Sequence, residues 1–402
     1  MPEVGDQYVP STGRPSLGKI PNRAFLKYTS RFSEKSCRTW RRKADPLADA
    51  VVEELAKNND LTNIHDLLGL VQEQADLRRG VFKEFVDAAH SVPEWADFQQ
   101  MERGQQILLT YDPIVRIAFA FGSLMGVGGQ FPKMGDVVRA TGMLDALDYA
   151  ASKERLERTG QFIVNIATVG ALCPGGAGHN GILRIRLLHS AVRRYLSVGG
   201  KYQEADEVPL NQHDLAITLA LFGYIGVRSL HRLGVRLSKA DVASYMLLWR
   251  YTGYVLGIDD ALLPHDLEEQ KEFFLASTLM MGDYYKRAGP EMQQSFLHTA
   301  EVVSAKTWGV VPKQILNSLA LHLMVHLAGR EYLEGFDLAL PRWAEWSSDA
   351  FLFCIQAWGS LLSLTDRYLP FGVGAAFLYK IHLSIINLMQ PRSIQHKLRA
   401  KL

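Results

Sequence analysis

Cysteine is scarce in this sequence, and its three cysteines, Cys37, Cys173 and Cys354, lie far apart. No two of them have the spacing of a metal-binding or redox motif, and they cannot form the disulfide framework of a small secreted protein. A packed core must therefore stabilise the chain. With 402 residues, that core can be large enough to enclose a cofactor.

An excess of charge of either sign is also absent, because 44 Lys and Arg residues face 42 Asp and Glu residues. Nucleic-acid-binding proteins usually carry a clear basic excess, so we expect no nucleic-acid partner. The nearest basic patch consists of Arg38, Arg41, Arg42 and Lys43. We interpret this patch as a solvated surface.

The sequence also lacks an uninterrupted run of about 20 apolar residues, the length that crosses a membrane as a helix. Its most apolar windows, residues 114–131 and 371–389, contain Arg116, Lys380 and His382. We interpret both windows as buried core helices, and we expect no transmembrane segment.

No export signal is recognisable either. Arg41-Arg42 resembles the start of a twin-arginine signal, but Lys43, Asp45 and Pro46 follow where an apolar stretch should begin. The sequence as written is thus expected to be cytoplasmic. A secreted protein is expected if a signal segment has been removed from it.

Helical periodicity begins at Asp45-Pro46. An Asp at the N-cap followed by Pro at the first helical position is a start signal, and Leu47, Val51 and Leu55 follow at helical spacing. Alternating strand patterns are nearly absent, so the sequence predicts an all-α protein. Further helices are predicted at residues 61–78, 103–126, 153–170, 180–198, 211–233, 238–257, 266–288, 290–307, 312–333, 342–367 and 371–390.

The breaks between these helices are short, which favours one domain over two. We predict a single large helical domain of about a dozen helices over residues 45–390, globin-like in general character. Residues 1–44 are predicted to form an N-terminal arm, because they are rich in Pro, Gly, Ser and charge without sustained periodicity. Residues 391–402 are predicted to form a C-terminal tail.

Two of the predicted helices carry polar residues among apolar ones. In the first, Arg155, Arg158 and Thr159 share one stripe with Phe162 and Ile166. A buried guanidinium needs an anionic or carbonyl partner. Alternatively, the two arginines reach solvent at the first turn, where the apolar pattern has only begun.

The second of these helices, residues 180–198, places His189 on a predicted buried stripe. The stripe consists of Ile182, Ile185, Leu188, His189, Val192 and Leu196. Arg186 and Arg193 flank His189 along the helix, and neighbouring cations keep an imidazole neutral and able to coordinate metal. A lone histidine on an apolar face is usually a satisfied core residue. The combination with two arginines that could hold haem propionates favours a haem site.

The order and spacing of these motifs resemble the rubber oxygenase family, which includes latex-clearing proteins and fungal oxygenases related to mycophenolic acid biosynthesis. The central motifs are Arg155-x-x-Arg158-Thr159 and His189-x-x-Val192-Arg193. Flanking stretches also agree, namely Asp45–Asp49, Pro209–Leu215, Leu237–Asp241 and Tyr254–Gly257. The likeness covers roughly residues 45–390.

This resemblance implies an oxygenase whose helical domain encloses haem b. His189 matches the proximal ligand of the iron, and Arg155 and Thr159 match polar residues of the distal pocket. Arg158 stands where latex-clearing proteins carry a lysine that can ligate the iron. Because arginine stays protonated and has no lone pair to give, that lysine-ligated state is not available here.

A second departure concerns an acidic residue that rubber-cleaving members place upstream of this arginine and use as a base. The nearest acids in this sequence are Asp136, Asp145 and Asp148, and none of them matches the pattern. This departure bears on the identity of the substrate, and the oxygenase interpretation does not depend on it.

The implied reaction joins dioxygen and an apolar olefin beside the iron, where Arg155, Arg158 or Thr159 donates hydrogen bonds toward dioxygen. The C=C bonds of poly(cis-1,4-isoprene), or of a related isoprenoid, are cleaved to aldehyde and ketone products. A soluble terpenoid or a prenylated small molecule is the alternative substrate.

Two other functions stay open. His322 and His326 lie four residues apart on one predicted helix and could share a non-haem metal with Glu331 or Glu334. Two ligands do not make a site, so two core or interface histidines are the simpler interpretation. A non-catalytic helical protein that holds a lipid in an apolar cavity is the other alternative. A monomer is compatible with all of these functions.

Overall fold

In the computed structural model of the chain, the described residues are 31–58, 60–61, 67–77, 80–127, 137, 149–200, 202, 206–281, 313–327 and 342–368. Within these ranges the chain forms helices and no β-strand, which confirms the predicted all-α class. The helices are α1 (Glu34–Arg41), α2 (Pro46–Lys57), α3 (Leu67–Leu77), α4 (Val81–His90), α5 (Phe98–Thr110), α6 (Asp112–Ile117), a π-helix (Ala118–Val127), α7 (Tyr149–Ala167), α8 (Ala177–Val198), α9 (Gln212–Phe222), α10 (Tyr224–Arg232), α11 (Lys239–Val255), a short 3-10 helix (Asp260–Leu262), α12 (Leu267–Met281), α13 (Lys313–Leu327) and α14 (Arg342–Tyr368). The predicted helices at 290–307 and 371–390 lie outside the described residues.

Two predicted helix starts are confirmed by their caps. The Asp45 side chain accepts a hydrogen bond from the Ala48 backbone N–H at 3.2 Å, and Pro46 opens α2. Ser238 and Asp241 form a reciprocal capping box at the start of α11.

The prediction of one continuous helix at 103–126 is wrong, because the chain forms separate helices there. The chain bends by 83° between α5 and α6, and Tyr111 lies at the break. Pro113 explains the break, because it lies in the first turn of α6 and has no backbone N–H to continue the hydrogen bonding of α5.

The predicted helix at 211–233 is likewise two helices, which meet at Gly223. The Gln270 side chain approaches this glycine and accepts a hydrogen bond from the Tyr224 backbone N–H at 2.7 Å. A side chain from α12 therefore replaces a backbone carbonyl as the partner of the first turn of α10.

Helices α1 and α4 were not predicted from the sequence pattern. Helix α1 lies within the predicted N-terminal arm, where Ser33 caps it and its buried residues are Cys37 and Arg41. Arg41 is only 3% exposed and pairs with Glu207 and Asp214. Since an ion pair anchors this helix, apolar periodicity could not reveal it. The predicted domain boundaries at residues 44 and 390 stay predictions.

Helix α11 lies in the centre of the described core. Its Trp249, Tyr245 and Tyr251 are among the largest fully buried side chains. Helix α5 packs directly against it, and Gly104 allows this close approach, because a Cβ there would lie 2.7 Å from the Ser244 carbonyl oxygen. Helices α7 and α8 pack against each other, and α2 packs across α8.

In the described ranges, no single helix is long and apolar enough to cross a membrane. One bent pair, Phe98–Thr110 with Asp112–Leu124, reaches the required length and composition when its two parts are taken together.

Candidate active site

Helices α7 and α8 form a hairpin that brings the predicted site residues to the same level. The number of residues from Arg155 to the end of α7 at Ala167 equals the number from the start of α8 at Ala177 to His189. At about 1.5 Å per residue, both lie about 18 Å from the turn. The turn is tight, because a Cβ on Gly178 would lie 2.7 Å from the Asn165 carbonyl oxygen.

The predicted stripe of α7 is only partly buried. Ile166 is fully buried, Thr159 and Phe162 are half-buried, and Arg158 is exposed. Arg158 is thus exposed as in the alternative interpretation, although the helix begins at Tyr149 and Arg158 does not lie in its first turn. The backbone of Arg155 belongs to α7, and its side chain lies outside the described part of the structure.

His189 carries a buried ring nitrogen that binds nothing in the described part of the chain. Its Nδ1 is fully buried and has no hydrogen-bond partner, while the residue as a whole keeps some exposed surface. The pKa of His189 is lowered to about 4, mainly by burial and also by the nearby Arg193 guanidinium, while Asp45 acts in the opposite direction. The imidazole is therefore neutral near pH 7, as predicted.

The predicted apolar stripe of α8 is fully buried at its two ends, at Ile182 and Leu196. Its middle residues, Ile185, Leu188, His189 and Val192, are half-buried. A second buried face of the helix carries Arg186, Ser190 and Arg193. A polar face can be buried here because α2 supplies carboxylates to it.

Arg186 forms a two-point ion pair with Asp45. Its Nε donates to Asp45 Oδ2 at 2.6 Å and its Nη2 donates to Oδ1 at 3.0 Å. Its Nη1 donates to the Val255 carbonyl oxygen at 3.3 Å. The guanidinium is 7% exposed, so these bonds form away from water, where they are strong.

One helical turn further along α2, Asp49 binds two side chains of α8. The Ser190 hydroxyl donates to Asp49 Oδ1 at 2.6 Å, and Arg193 Nε donates to the same oxygen at 3.0 Å. Arg193 Nη1 also donates to the Leu210 carbonyl oxygen at 2.6 Å. We call the contacts that Asp45 and Asp49 make with α8 the α2–α8 polar contact.

Sequence reasoning identified the arginines and missed their partners. Asp45 was assigned only a capping role, and Asp49 none. The available signal was the matching spacing, because Asp45 and Asp49 are four residues apart, as are Arg186 and Ser190. The predicted role of Arg186 and Arg193 toward haem propionates stays a prediction, and the structure gives both arginines protein carboxylates as partners.

A cleft of about 760 Å³ adjoins the α2–α8 polar contact. It does not include His189 in its lining. Its lining residues are Lys43, Ala44, Asp45, Pro46, Leu47, Asp49, Ala88, Arg186, Gln212, Tyr254, Gly257, Ile258, Asp259 and Asp260.

The two histidines of the non-haem alternative have protein partners. His322 Nε2 lies 3.0 Å from an Asp349 carboxylate oxygen, and His326 Nε2 lies 3.2 Å from the Arg232 carbonyl oxygen. Among the described residues, no three His, Cys, Asp or Glu side chains are grouped closely enough to hold a metal ion. Glu331 and Glu334 lie outside the described residues.

The family described as "ER-bound oxygenase mpaB/B'/Rubber oxygenase, catalytic domain" matches residues 114–358, which is more than half of the chain. The chain belongs to this rubber oxygenase family. The matched range contains α7 and α8 with every predicted site residue, and it begins after α2. The family assignment makes this chain a relative of oxygenases and confirms the resemblance drawn from the motifs.

Individual relatives agree with this rubber oxygenase assignment. A rubber oxygenase of Streptomyces sp. (strain K30) is 24% identical over 232 residues, which cover 56% of this chain and 54% of that protein. The aligned region thus spans about half of the relative's length. A latex-clearing protein solved in its closed state matches with a TM-score of 0.57 at 20% identity, over 85% of this chain and 88% of that one. This likeness confirms the fold.

The three candidate acids Asp136, Asp145 and Asp148 lie outside the described residues.

Proposed function

We propose that this chain is a haem b-dependent dioxygenase that cleaves C=C bonds of polyisoprene, or of a related isoprenoid, to aldehyde and ketone products. The observation that carries this proposal is the neutral imidazole of His189 with its unpartnered buried Nδ1, in a chain that belongs to an oxygenase family. The polyisoprene substrate follows from the name of the Streptomyces relative.

The residues around His189 fit a haem. Iron coordination requires a neutral imidazole, which burial and Arg193 both favour. A buried nitrogen without a hydrogen bond raises the free energy of the folded state, and binding of the ring to a haem would be compatible with the missing protein partner. Ile185, Leu188 and Val192 flank it along the same helix with partly exposed apolar surface, which suits an apolar macrocycle.

Each group of residues has a distinct task in this proposal. His189 holds the haem, which supplies the iron that activates dioxygen. Arg155 and Thr159 on α7 would donate hydrogen bonds toward dioxygen and stabilise negative charge there, whereas the exposed Arg158 is left without this role. The α2–α8 polar contact holds α8 against α2, and the position of α8 determines the position of His189.

Haem binding by the purified full-length protein tests the assignment of His189. In His189→Ala we expect a folded protein, by circular dichroism, that no longer develops a Soret band when titrated with haem. His265→Ala is the matched control, because His265 is exposed and should leave haem binding unchanged. Full haem occupancy in His189→Ala would contradict the assignment.

The reaction is tested with labelled dioxygen. Polyisoprene latex, squalene and a prenylated phenol are each incubated with the haem-loaded protein, and carbonyl products are analysed before they exchange with water. Label in both new carbonyl groups, without consumption of an external reductant, is the expected result. An alcohol or epoxide with one labelled atom would identify a monooxygenase instead. Turnover of the phenol alone would identify the soluble-substrate alternative.

A further inference from the structure

Helix α14 carries apolar side chains on two opposite faces. One face packs against the protein, and its Leu352, Ile355 and Leu362 are buried. Gln356 on that side donates to the Arg232 carbonyl oxygen at 2.9 Å. The apolar residues of the opposite face are all exposed, and they are Trp346, Ala350, Phe353, Ala357, Leu361, Leu364 and Tyr368. We call these seven residues the exposed α14 stripe.

The exposed α14 stripe is large enough for a protein interface. Trp346 is 78% exposed, and Phe353 and Tyr368 are each 71% exposed. An aromatic side chain removes about 150–250 Å² from water when it is fully buried. With Leu361 and Leu364, these side chains offer roughly 700 Å² per chain, close to the roughly 800 Å² that each partner buries in a stable interface. Contiguous apolar patches of this size mark interaction surfaces on soluble proteins.

The spacing of the exposed α14 stripe is the same from either end. Successive members are separated by 4, 3, 4, 4, 3 and 4 residues, with Ala357 at the centre. An aromatic residue stands at each end, Trp346 at one and Tyr368 at the other. With 3.6 residues per turn, all seven lie in an arc about 80° wide, so the stripe runs straight along the helix. A surface that pairs with itself about a two-fold axis needs this symmetry.

We propose that α14 pairs in antiparallel orientation with α14 of a second copy of this chain, about a two-fold axis at Ala357. In this register Trp346 faces the partner's Tyr368, and Phe353 faces the partner's Leu361. Each contact occurs twice, because the interface is isologous. The small side chain of Ala357 lets the two helices approach each other at the axis. The pairing requires no haem and does not depend on the proposed reaction.

The charges beside the exposed α14 stripe favour this orientation. Asp349 near the start of α14 and Arg367 near its end are both exposed, and the Asp349 side chain is 68% exposed although His322 lies beside it. They are 18 residues apart, which is five helical turns, so they lie on the same flank. Antiparallel pairing brings Asp349 near the partner's Arg367, whereas parallel pairing brings like charges together. A membrane-binding helix carries mainly Lys and Arg on its polar face, so one acid and one base favour a second copy.

The mass of the full-length protein in solution, measured by light scattering over a range of concentrations, tests the pairing. We expect wild type to have the mass of two chains at high concentration. Phe353→Glu should raise the dissociation constant of the dimer about a hundredfold or more, because a carboxylate in each copy loses its water. Leu77→Glu is the matched control, since Leu77 on α3 is 70% exposed, and it should leave the dimer unchanged. Circular dichroism should show that both variants are folded.

Cysteine cross-linking tests the register. The background variant has serine in place of the exposed Cys173 and Cys354, while the buried Cys37 stays. In this background, Ala357→Cys should cross-link to its own copy with a short bis-maleimide, because position 357 lies on the two-fold axis. Ala350→Cys should not cross-link, since the two copies of position 350 lie about 20 Å apart along the helices.

Three results would overturn the proposal. They are a wild type that is monomeric at every concentration, a dimer that Phe353→Glu leaves intact, and equal cross-linking at positions 350 and 357. A monomeric wild type whose melting temperature falls in Phe353→Glu would show that the exposed α14 stripe is covered by the same chain. A monomeric wild type that sediments with phosphatidylcholine vesicles, and does not do so as Phe353→Glu, would show a membrane-binding surface.

Discussion

Gly257 leaves the space that the ion pair between Arg186 and Asp45 requires. Its φ of +84° lies in the left-handed region that favours glycine. A Cβ at this position would lie 2.5 Å from Arg186 Nε and 2.5 Å from Asp45 Oδ2. The absence of a side chain therefore allows the Arg186–Asp45 pair to close beneath the loop that follows α11.

Gly257→Ala should lower the free energy of unfolding by about 2–4 kcal/mol, from backbone strain together with displacement of the ion pair. Urea denaturation followed by circular dichroism measures this change. Gly170→Ala is the matched control, because Gly170 has a φ of +76° and a Cβ added there would meet nothing within 4 Å. Equal losses in the two variants would show that strain alone explains the effect.

The chemistry of the α8 residues was predictable from the sequence, but their contacts were not predicted. The neutral state of His189 was predicted from two flanking arginines, whereas in the structure burial is the largest cause of its lowered pKa and only Arg193 of the two contributes. The partners of Arg186 and Arg193 were missed, because Asp45 and Asp49 are remote in sequence and their matching spacing was the only signal for the contact. Only the packing of α2 across α8 brings these charges together.

At the scale of helices, the α2–α8 polar contact should behave as a coupled unit. Arg186→Met and Asp45→Asn should each destabilise the protein by about 3–5 kcal/mol, since each leaves a buried charge unpaired. Asn keeps the capping function of position 45. The double variant should lose less than the sum of the two single losses, with a coupling energy of about 1–3 kcal/mol from urea denaturation.

The exposed pair Lys83–Asp87 provides the comparison for this cycle. Its nitrogen and oxygen lie 2.8 Å apart, but both side chains are about half exposed. The corresponding cycle with Lys83→Met and Asp87→Asn should give a coupling energy of about 0.5 kcal/mol or less. Additive losses in the Arg186 and Asp45 cycle would refute the coupling.

The helix boundaries separate what local sequence determines from what tertiary contacts determine. The start of α2 was predictable because Asp45 and Pro46 act within one turn. The division between α9 and α10 was not, since it depends on Gln270 of a later helix. Helix α1 was missed for the same reason, because its buried Arg41 is anchored by Glu207 and Asp214.

For the whole molecule, buried neutral histidines predict a loss of stability in acid. The pKa is lowered at His179, His213, His231 and His326, with burial as the largest cause at each. His213 is fully buried, and its pKa is about 3. An unfolded histidine takes up a proton near pH 6.5. Stability is therefore complete above about pH 6.5, and it falls as the pH falls toward the folded pKa.

His213 alone should account for about 2 kcal/mol of this loss at pH 5. His213→Gln should therefore flatten the dependence of unfolding free energy on pH between 7 and 5, measured by urea denaturation at each pH. Burial raises the pKa of the neighbouring Asp214, which acts in the opposite direction and is common to both proteins. An unchanged slope in the variant would exclude His213 as the source.

The fold class was predictable over the described ranges because helical periodicity is a property of each segment by itself. The partial exposure of one face of α8 was not predictable from the sequence. Apolar periodicity is the same for a face that packs against other helices and for a face that stays partly exposed. Ile185, Leu188 and Val192 belong to that second kind of face.

The α2–α8 polar contact also has a consequence for how the chain matures during synthesis. Asp45 and Arg186 are separated by 141 residues, and Asp49 and Arg193 by 144. At synthesis rates of about 5–20 residues per second, roughly 7 to 28 s pass between the synthesis of α2 and that of its partner residues in α8. During that interval its two carboxylates stay hydrated, and Asp45 loses its water after the middle of α8 has emerged and Asp49 after its last third. The orientation of His189 is therefore set late, after most of the N-terminal helices have left the ribosome.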